Sequence, residues 1–174
     1  AVADRSRVRR ELGHGGMANV DLAQDLRHHR QVALKFIHAE IADHQATERF
    51  RREIALLASL QHPHILPLYD SGEFDGALFY VMPYVSGESL RGRLDREKTL
   101  PVDDAIRISR EVADALAHAH AQDVIHRDIK TENILLLQGH AMVVGFGIER
   151  VWSSAAAERA PVEGLSIAQH VNWE

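Results

Sequence analysis

Residues His126–Asn133, which read His-Arg-Asp-Ile-Lys-Thr-Glu-Asn, form the most informative stretch of this 174-residue chain. This polar loop carries a carboxylate at Asp128, a lysine two residues later at Lys130 and an amide five residues later at Asn133. The three groups can serve as a base, as a cation for a phosphoryl group in transfer and as a metal ligand. A string of this kind is improbable by chance, and it indicates phosphoryl-transfer chemistry.

A cluster of glycines lies near the other end of the chain, where Leu12–Val20 reads Leu-Gly-His-Gly-Gly-Met-Ala-Asn-Val. Glycines let backbone N–H groups approach phosphate oxygens without a Cβ in the way, and they tolerate positive φ angles. Taken alone, such a cluster is more often only a hairpin turn.

Lys35 ends the apolar run Val32–Lys35, where a cation that faces inward needs a partner or a ligand. Glu53 can supply that partner, because it shares a predicted helix face with Phe50 and Leu57 and is therefore carried on the inward stripe. The pair fits a phosphate-binding lysine held by a glutamate, but it also fits a plain ion pair in the core.

Apolar periodicity predicts one helix over Thr47–Leu60 and another from about Pro101 to Gln122. Turns are predicted at Ser71-Gly72 and Asp75-Gly76. The predicted strands are Val20–Ala23, Gln31–Ile37, Ile65–Tyr69, Leu78–Met82, Ile134–Leu137 and Ala141–Val144.

From about Val8 to Ile148 the chain resembles the protein kinases, because the glycine cluster, the strand lysine, the helix glutamate and the His126–Asn133 loop occur in that family's order and separations. The Gly-Gly-Met-Ala run and the Gln-His-Pro-His-Ile turn at Gln61–Ile65 resemble bacterial eukaryotic-like serine/threonine kinases. The resemblance implies an α+β, protein-kinase-like bilobal fold. Residues 1–85 would form a β-rich N-lobe with one helix, and residues 86–174 a truncated α-rich C-lobe.

The resemblance also implies a site for ATP and Mg²⁺. Lys35 would hold the α- and β-phosphates, paired with Glu53, while Asp128 would orient the substrate hydroxyl and accept its proton. Lys130 would steady the γ-phosphate and Asn133 would hold a magnesium ion. The remaining nucleotide contacts would come from Leu12, Gly13, Gly15, Gly16 and Val20 of the glycine loop, Ala33 of the adenine pocket, Met82 at the gatekeeper position, and Pro83 and Val85 of the hinge.

One departure from the family pattern concerns the metal. Where the family carries Asp-Phe-Gly, this chain reads Gly145-Phe146-Gly147. The missing carboxylate is the main magnesium ligand of the family, and glycine has no side-chain oxygen to replace it. Losing one preorganised electrostatic group costs on the order of 10² to 10³ in rate, so we predict impaired phosphoryl transfer.

Other departures are smaller or concern length. Asp21 stands where an apolar side chain is usual, Asn19 where threonine or serine is common, and Thr131 where proline usually stiffens the loop. Ala160–Glu163 resembles the family's Ala-Pro-Glu signature only superficially. A complete kinase domain has roughly 250 residues or more, so we expect the substrate-binding platform to be missing or degraded.

Composition limits the partners. A net charge of −5 offers no basic surplus for nucleic acid. The absence of cysteine removes disulfides, thiolate zinc sites and cysteine nucleophiles. No apolar run approaches the roughly 20 residues that span a bilayer, so we expect no membrane segment and a cytoplasmic location. The spacing of the twelve histidines does not favour a structural zinc site.

These patterns favour an ATP-dependent kinase that acts on serine or threonine hydroxyls of a protein substrate, with impaired activity. Two alternatives stay open: a pseudokinase or docking module without catalysis, and a decayed fragment. The Pro101–Gln122 helix would expose an apolar face without a complete C-lobe, so we also expect self-association or poor solubility.

Overall fold

The structure is a computed structural model that describes residues 6–14, 18–37, 44–74 and 76–146, apart from the side chains of residues 44–46, 49 and 53. The predictions for Gly15, Gly16, the Glu53 side chain, Gly147 and residues 160–163 therefore lie outside the described residues.

The elements follow one another in the order strand, strand, strand, helix, strand, strand, and then a mainly helical second half. They are β1 Ser6–His14, β2 Ala18–Asp25, β3 Arg30–Ile37, α1 His44–Ser59, β4 Asp70–Phe74, β5 Ala77–Pro83, β6 Glu88–Ser89, α2 Leu90–Glu97, α3 Val102–His120, a 3₁₀ turn Thr131–Asn133, β7 Ile134–Leu137 and β8 His140–Val143. The predicted α+β class is confirmed.

The first half is a five-stranded antiparallel sheet in the order β1-β2-β3-β5-β4, with α1 packed against it. Phe50 and Ile54 of α1 are buried with Ile37 of β3 and with Leu78 and Tyr80 of β5. The helix forms because its apolar side chains recur at helical spacing and find this sheet to cover.

The second half packs α3 against the small sheet β6-β7-β8. Ile108 is buried with Ile134, Leu136 and Ala141. Asp103 and Asp104 lie in the first turn of α3, where carboxylates favour the positive end of the helix dipole. Among the described residues, no helix is both long and apolar enough to cross a membrane.

Residues 64–66 join the two halves. Val143 N–H donates to the carbonyl of His64 over 2.8 Å, and Leu66 N–H donates to the carbonyl of Val143 over 3.0 Å. Leu57 packs against the core clusters of both halves. The end of α1 and strand β8 are thereby held together directly.

The predicted strand Ile65–Tyr69 is wrong, because Ile65 forms only an isolated bridge with Val143 and the strand lies later, at Asp70–Phe74. The turn predicted at Ser71-Gly72 falls inside β4. Gly72 is accommodated there because the Phe79 ring occupies the space that a Cβ would need.

Candidate active site

The structure brings together Asp128, Lys130 and Asn133 of the predicted phosphoryl-transfer loop. Lys130 Nζ lies 2.7 Å from Asp128 Oδ2, and Asn133 Nδ2 donates to the same oxygen over 2.9 Å. Asn133 Nδ2 also donates to the backbone carbonyl of Asp128 over 2.9 Å. The 3₁₀ turn positions the amide, since Asn133 N–H donates to the carbonyl of Lys130. Two donors therefore fix the orientation of a carboxylate that solvent still reaches.

The side chain of His126 stabilises this loop, a role that the sequence analysis did not assign. Its ring is almost fully buried, and Nε2 lies 2.9 Å from the carbonyl oxygen of Val144. Asp128 N–H donates to Nδ1 over 3.3 Å. Because a carbonyl only accepts and a backbone amide only donates, Nε2 carries the proton and Nδ1 accepts. The imidazole thus links the backbone of Asp128 to the segment that precedes Gly145.

Phe146 packs on the other side of that imidazole, with the ring centroids 4.5 Å apart. Phe146 is buried in the same cluster as Val124 and Val143. No sequence pattern predicts this contact, because it joins two residues that lie twenty positions apart in irregular segments. The phenylalanine therefore anchors the loop and the Gly145 segment to one core.

Gly145 has a φ of +79°, and a Cβ at this position would lie 3.4 Å from Cγ and Oδ1 of Asn133. A side chain at residue 145 would thus stand directly beside the predicted metal ligand. Magnesium in proteins is usually held by one or two carboxylates together with substrate phosphates. Here Asn133 offers only an amide oxygen and the Asp128 carboxylate is paired with Lys130, so the residues present fit a magnesium ion poorly.

The described part of the chain offers no other obvious metal centre, since no three histidine or acidic side chains in it come close enough to share an ion. The histidines at 62, 64, 118 and 140 instead bond to Asp114, the carbonyl of Ala141, Gln122 and Glu111, respectively.

Lys35 lies in the centre of β3 and is only 8% exposed. Its register partners are Val20 on β2 and Tyr80 on β5, and its ammonium lies 5.9 Å from the centre of the Tyr80 ring. That distance is compatible with a cation–π contact. The buried ammonium therefore lies on the sheet face that Tyr80 shares.

A cavity of about 30 Å³ connects this sheet face with the second half of the molecule. Tyr80 and Met82 line it from β5, Leu57 from α1, and Gly145 and Phe146 from the other side. Its volume suits a water molecule or two rather than a nucleotide. Tyr80, which neighbours Lys35, and Gly145, which neighbours Asn133, thus line one cavity, whereas Lys35 and Asp128 are not among its lining residues.

The other predicted nucleotide contacts lie on neighbouring strands of the large sheet and on the segment that follows β5. Gly13 pairs with Val20, and a Cβ on Gly13 would meet no atom within 4 Å. Ala33 is buried opposite Met82. Leu12 is exposed, whereas Pro83 and Val85 are half-buried at the end of β5 and beyond it. Open space next to Gly13 is what the approach of a phosphate would need.

Gly87, just after the predicted hinge, was missed by the sequence analysis. A Cβ on Gly87 would collide with the carbonyl oxygen of Leu136 on β7. Only a glycine lets the connection between the halves pass this close to the second sheet. An isolated glycine in a polar stretch gives no sequence signal for such a contact.

Two of the smaller departures from the family pattern have local partners. Asp21 lies opposite Glu11 in the β1–β2 ladder. Burial, and secondly the negative charge of Glu11, raise the pKa of Asp21 above its ordinary value. Thr131 donates its hydroxyl to the carboxylate of Glu132 over 3.1 Å. Its hydroxyl is therefore directed at the neighbouring residue on the outer side of the 3₁₀ turn.

Comparisons with family models, curated proteins and solved structures all point to one protein family. The model of the protein kinase domain matches residues 6–164. A probable serine/threonine-protein kinase pknA2 of Bifidobacterium longum is 43% identical over 159 residues, which are 88% of this chain and 21% of that protein. The serine/threonine-protein kinase PrkC of Bacillus subtilis is 40% identical over 155 residues, covering 88% of this chain and 24% of that protein. The chain thus spans about a quarter of the length of these relatives.

Solved structures with a similar fold include kinases. The Mycobacterium tuberculosis PknI kinase domain is similar with a TM-score of 0.73 and 38% identity, over 82% of this chain and 60% of that chain. Rad53 1–466 in complex with AMP-PNP is similar with a TM-score of 0.78 and 26% identity, over 84% of this chain and 39% of that chain.

Proposed function

This chain belongs to the protein kinase family, and we propose that it is the ATP-binding and catalytic-loop part of a serine/threonine protein kinase with impaired phosphoryl transfer. Its curated relatives are bacterial serine/threonine kinases, and its fold is a kinase fold of which the C-lobe is only partly spanned. We place the division between the lobes after residue 85, because the large sheet ends at Pro83 and the small sheet begins at Glu88.

In this proposal ATP binds between the lobes, with the Lys35 ammonium on its phosphates. The burial of Lys35, its position above Tyr80 and the open space around Gly13 support such a site. Glu53 is the proposed partner of Lys35. The similar Rad53 was solved in complex with AMP-PNP, which supports nucleotide binding by this fold.

The proposed reaction transfers the γ-phosphoryl group to a serine or threonine hydroxyl of a protein. Asp128 orients that hydroxyl and accepts its proton, while Lys130 offsets negative charge on the transferring group. The described residues fit a magnesium ion poorly, so no step of this proposal depends on one, although Asn133 is placed to offer it an amide oxygen. We propose a protein substrate and a cytoplasmic location, in keeping with the net charge of −5 and the absence of cysteine.

The proposal that phosphoryl transfer is impaired depends on Gly145. It stands 3.4 Å, measured from an ideal Cβ, from Asn133 and provides no carboxylate. The same observation favours a second candidate function, a pseudokinase that binds nucleotide or a protein partner without catalysis. The two candidates differ only in residual turnover.

Thermal unfolding with ATP, with and without Mg²⁺, tests the proposed function. We expect ATP to raise the Tm by no more than about 2 °C, with little dependence on magnesium. A large magnesium-dependent shift would contradict the role given to Gly145. Autophosphorylation then separates the candidates: slow but measurable turnover supports the impaired kinase, none supports the pseudokinase, and about 1 s⁻¹ or more would refute both.

A further inference from the structure

Thr131 occupies a backbone position that suits a proline. Lys130, the residue before it, has a φ of −153° and a ψ of 165°, close to the extended conformation that a following proline favours. Thr131 also opens the 3₁₀ turn, and proline is tolerated at the start of a helix because its missing N–H is not needed there. The chain places a hydroxyl at this position instead of a rigid ring.

The Thr131 hydroxyl begins a series of polar contacts that leads to helix α2. It donates to Oε2 of Glu132 over 3.1 Å, and Nε of Arg91 donates to the other oxygen, Oε1, over 3.4 Å. The backbone N–H of Glu132 also bonds to this carboxylate. That N–H first, and then the Thr131 hydroxyl and the Arg91 guanidinium, lower the pKa of Glu132 below its ordinary value. Both carboxylate oxygens are therefore engaged within the molecule.

Arg91 is itself held close to the strand that follows the turn. It lies in the first turn of α2, whose N-cap is Ser89. Ser89 pairs with Leu135 in the β6–β7 ladder, and β7 follows the 3₁₀ turn directly. The start of α2 is thus connected to the chain on both sides of Asn133, through Glu132 before it and through β7 after it.

We propose that Glu132 is a positioning residue of the loop from Asp128 to Asn133, where it provides the stiffness that a proline at position 131 would give. Its contacts with Thr131 and Arg91 keep the 3₁₀ turn closed. The turn ends in Asn133, whose amide nitrogen lies 2.9 Å from Oδ2 of Asp128. Because both oxygens of Glu132 are engaged inside the molecule, Glu132 acts through its neighbours and not on the substrate.

The expected effect is local. The side chains of Arg91 and Glu132 are each 49% exposed, and an exposed ion pair contributes little to the free energy of unfolding of a whole chain. Removing the contact should therefore loosen the 3₁₀ turn without unfolding the molecule. Amide exchange within the turn should change by a few-fold, while the midpoint of urea unfolding should move little.

Hydrogen exchange of the Asn133 amide, followed by NMR in the 174-residue chain, tests the proposal without any nucleotide. The Asn133 N–H donates to the Lys130 carbonyl over 2.9 Å, so its exchange reports opening of the turn. Arg91→Met, Thr131→Val and Glu132→Ala should each raise the exchange rate at least about threefold. An unchanged rate in any of these three variants overturns the proposal.

Arg51→Met is the matched control. Arg51 is an exposed arginine of α1 that lies 3.0 Å from Glu48 and 3.9 Å from Glu73, just as Arg91 has carboxylates at 3.4 and 3.9 Å. It lies on another element, so its loss should leave the exchange of the Asn133 amide unchanged. An equal rise in Arg51→Met would show that losing any surface ion pair loosens the chain, and it would overturn the proposal.

Thr131→Pro provides a rescue that a general loss of stability would not give. Proline fixes φ near −65°, which suits a 3₁₀ turn, so the turn should stay closed without help from Glu132. Arg91→Met added to Thr131→Pro should then change the exchange of the Asn133 amide by less than about 1.5-fold. Equal effects of Arg91→Met with threonine and with proline at position 131 would show that Glu132 does not replace a proline.

Turnover gives a second readout, and this one rests on the proposed function. In the Gly145→Asp background, Arg91→Met should lower autophosphorylation at saturating ATP about threefold. The KM for ATP should stay unchanged, because Arg91 contacts Glu132 and not Lys35. A raised KM or an unchanged maximal rate would overturn the positioning role. If Gly145→Asp incorporates no phosphate, the proposed function fails, whereas the exchange rates still decide whether Glu132 positions the loop.

Discussion

The side-chain amide of Asn133 donates a 2.9 Å hydrogen bond to Oδ2 of Asp128, the same oxygen that Lys130 approaches. The amide nitrogen is therefore committed to the proposed base, and both Oδ1 and Nδ2 lie 3.4–3.5 Å from the position of a Cβ on Gly145. Asn133 thereby connects the proposed proton acceptor, Asp128, with the segment that contains Gly145. A substitution at Gly145 should consequently alter the positions of both Asn133 and Asp128.

Gly145→Asp is expected to raise autophosphorylation by about 10² or more and to make the ATP-induced Tm shift depend on magnesium. The new carboxylate would stand next to the Asn133 amide and supply the missing oxygen ligand. Aspartate tolerates the φ of +79° at a cost of about 1–2 kcal/mol. Phosphate incorporation and thermal unfolding measure the two effects.

Gly76→Asp is the matched control for that substitution, because Gly76 has a φ of +76° and a Cβ placed there would meet no atom within 4 Å. It should carry a similar backbone cost without any gain in activity. A gain in both variants, or in neither, would contradict the assignment of residue 145.

Asp128→Asn should abolish the phosphate incorporation seen in the Gly145→Asp background, because asparagine cannot accept the substrate proton. The free energy of unfolding should change by less than about 1 kcal/mol, since the lost ion pair with Lys130 is partly exposed. Asp95→Asn, on the exposed side of α2, is the control. Retained activity in Asp128→Asn would remove Asp128 from the mechanism.

Lys35→Met should weaken ATP binding about tenfold or more, because it removes the charged hydrogen-bond donor proposed for the phosphates. Methionine has a similar length and suits the buried position, so the variant should fold. Isothermal titration with ATP gives the affinity, and Lys98→Met, at an exposed lysine, gives the comparison. Similar affinities for the two variants would mean that Lys35 serves only the core.

Asp21→Asn should raise the free energy of unfolding at pH 7 by roughly 0.5 kcal/mol, because it removes a partly buried charge that faces Glu11. The folded-state pKa of Asp21 is raised, so the native wild type takes up this proton more readily than the unfolded chain as the pH falls. The advantage of the variant should therefore shrink below pH 7 and vanish once Asp21 is protonated. Urea unfolding at pH 7 and near pH 4 would measure the difference in free energy of unfolding between the variant and the wild type. A difference that does not depend on pH would exclude a charge effect.

The strongly patterned elements could be predicted from sequence. Helices α1 and α3 and strand β3 bury regular apolar stripes, so their positions follow from periodicity. The loop from Asp128 to Asn133 could be predicted because its residue types are specific to one chemistry. The structure then adds the distances between Asp128, Lys130 and Asn133.

Other features carry no such pattern. Helix α2, Leu90–Glu97, buries only Leu90, and its Ser89 cap was not recognised. Strand β4 is polar and contains a glycine, and it forms because β5 offers an edge to pair with. The contact between the tilted rings of His126 and Phe146 depends on tertiary packing, which no local spacing encodes.

The place of Leu57 between the two hydrophobic clusters, together with the backbone pairing of Ile65 with Val143, has a thermodynamic consequence. Neither half can lose its packing without uncovering apolar surface of the other. Melting should accordingly be one cooperative event, in which damage to either half lowers a midpoint that both share. Relative motion of the halves is then confined to rotation about this seam, since outright separation would break it.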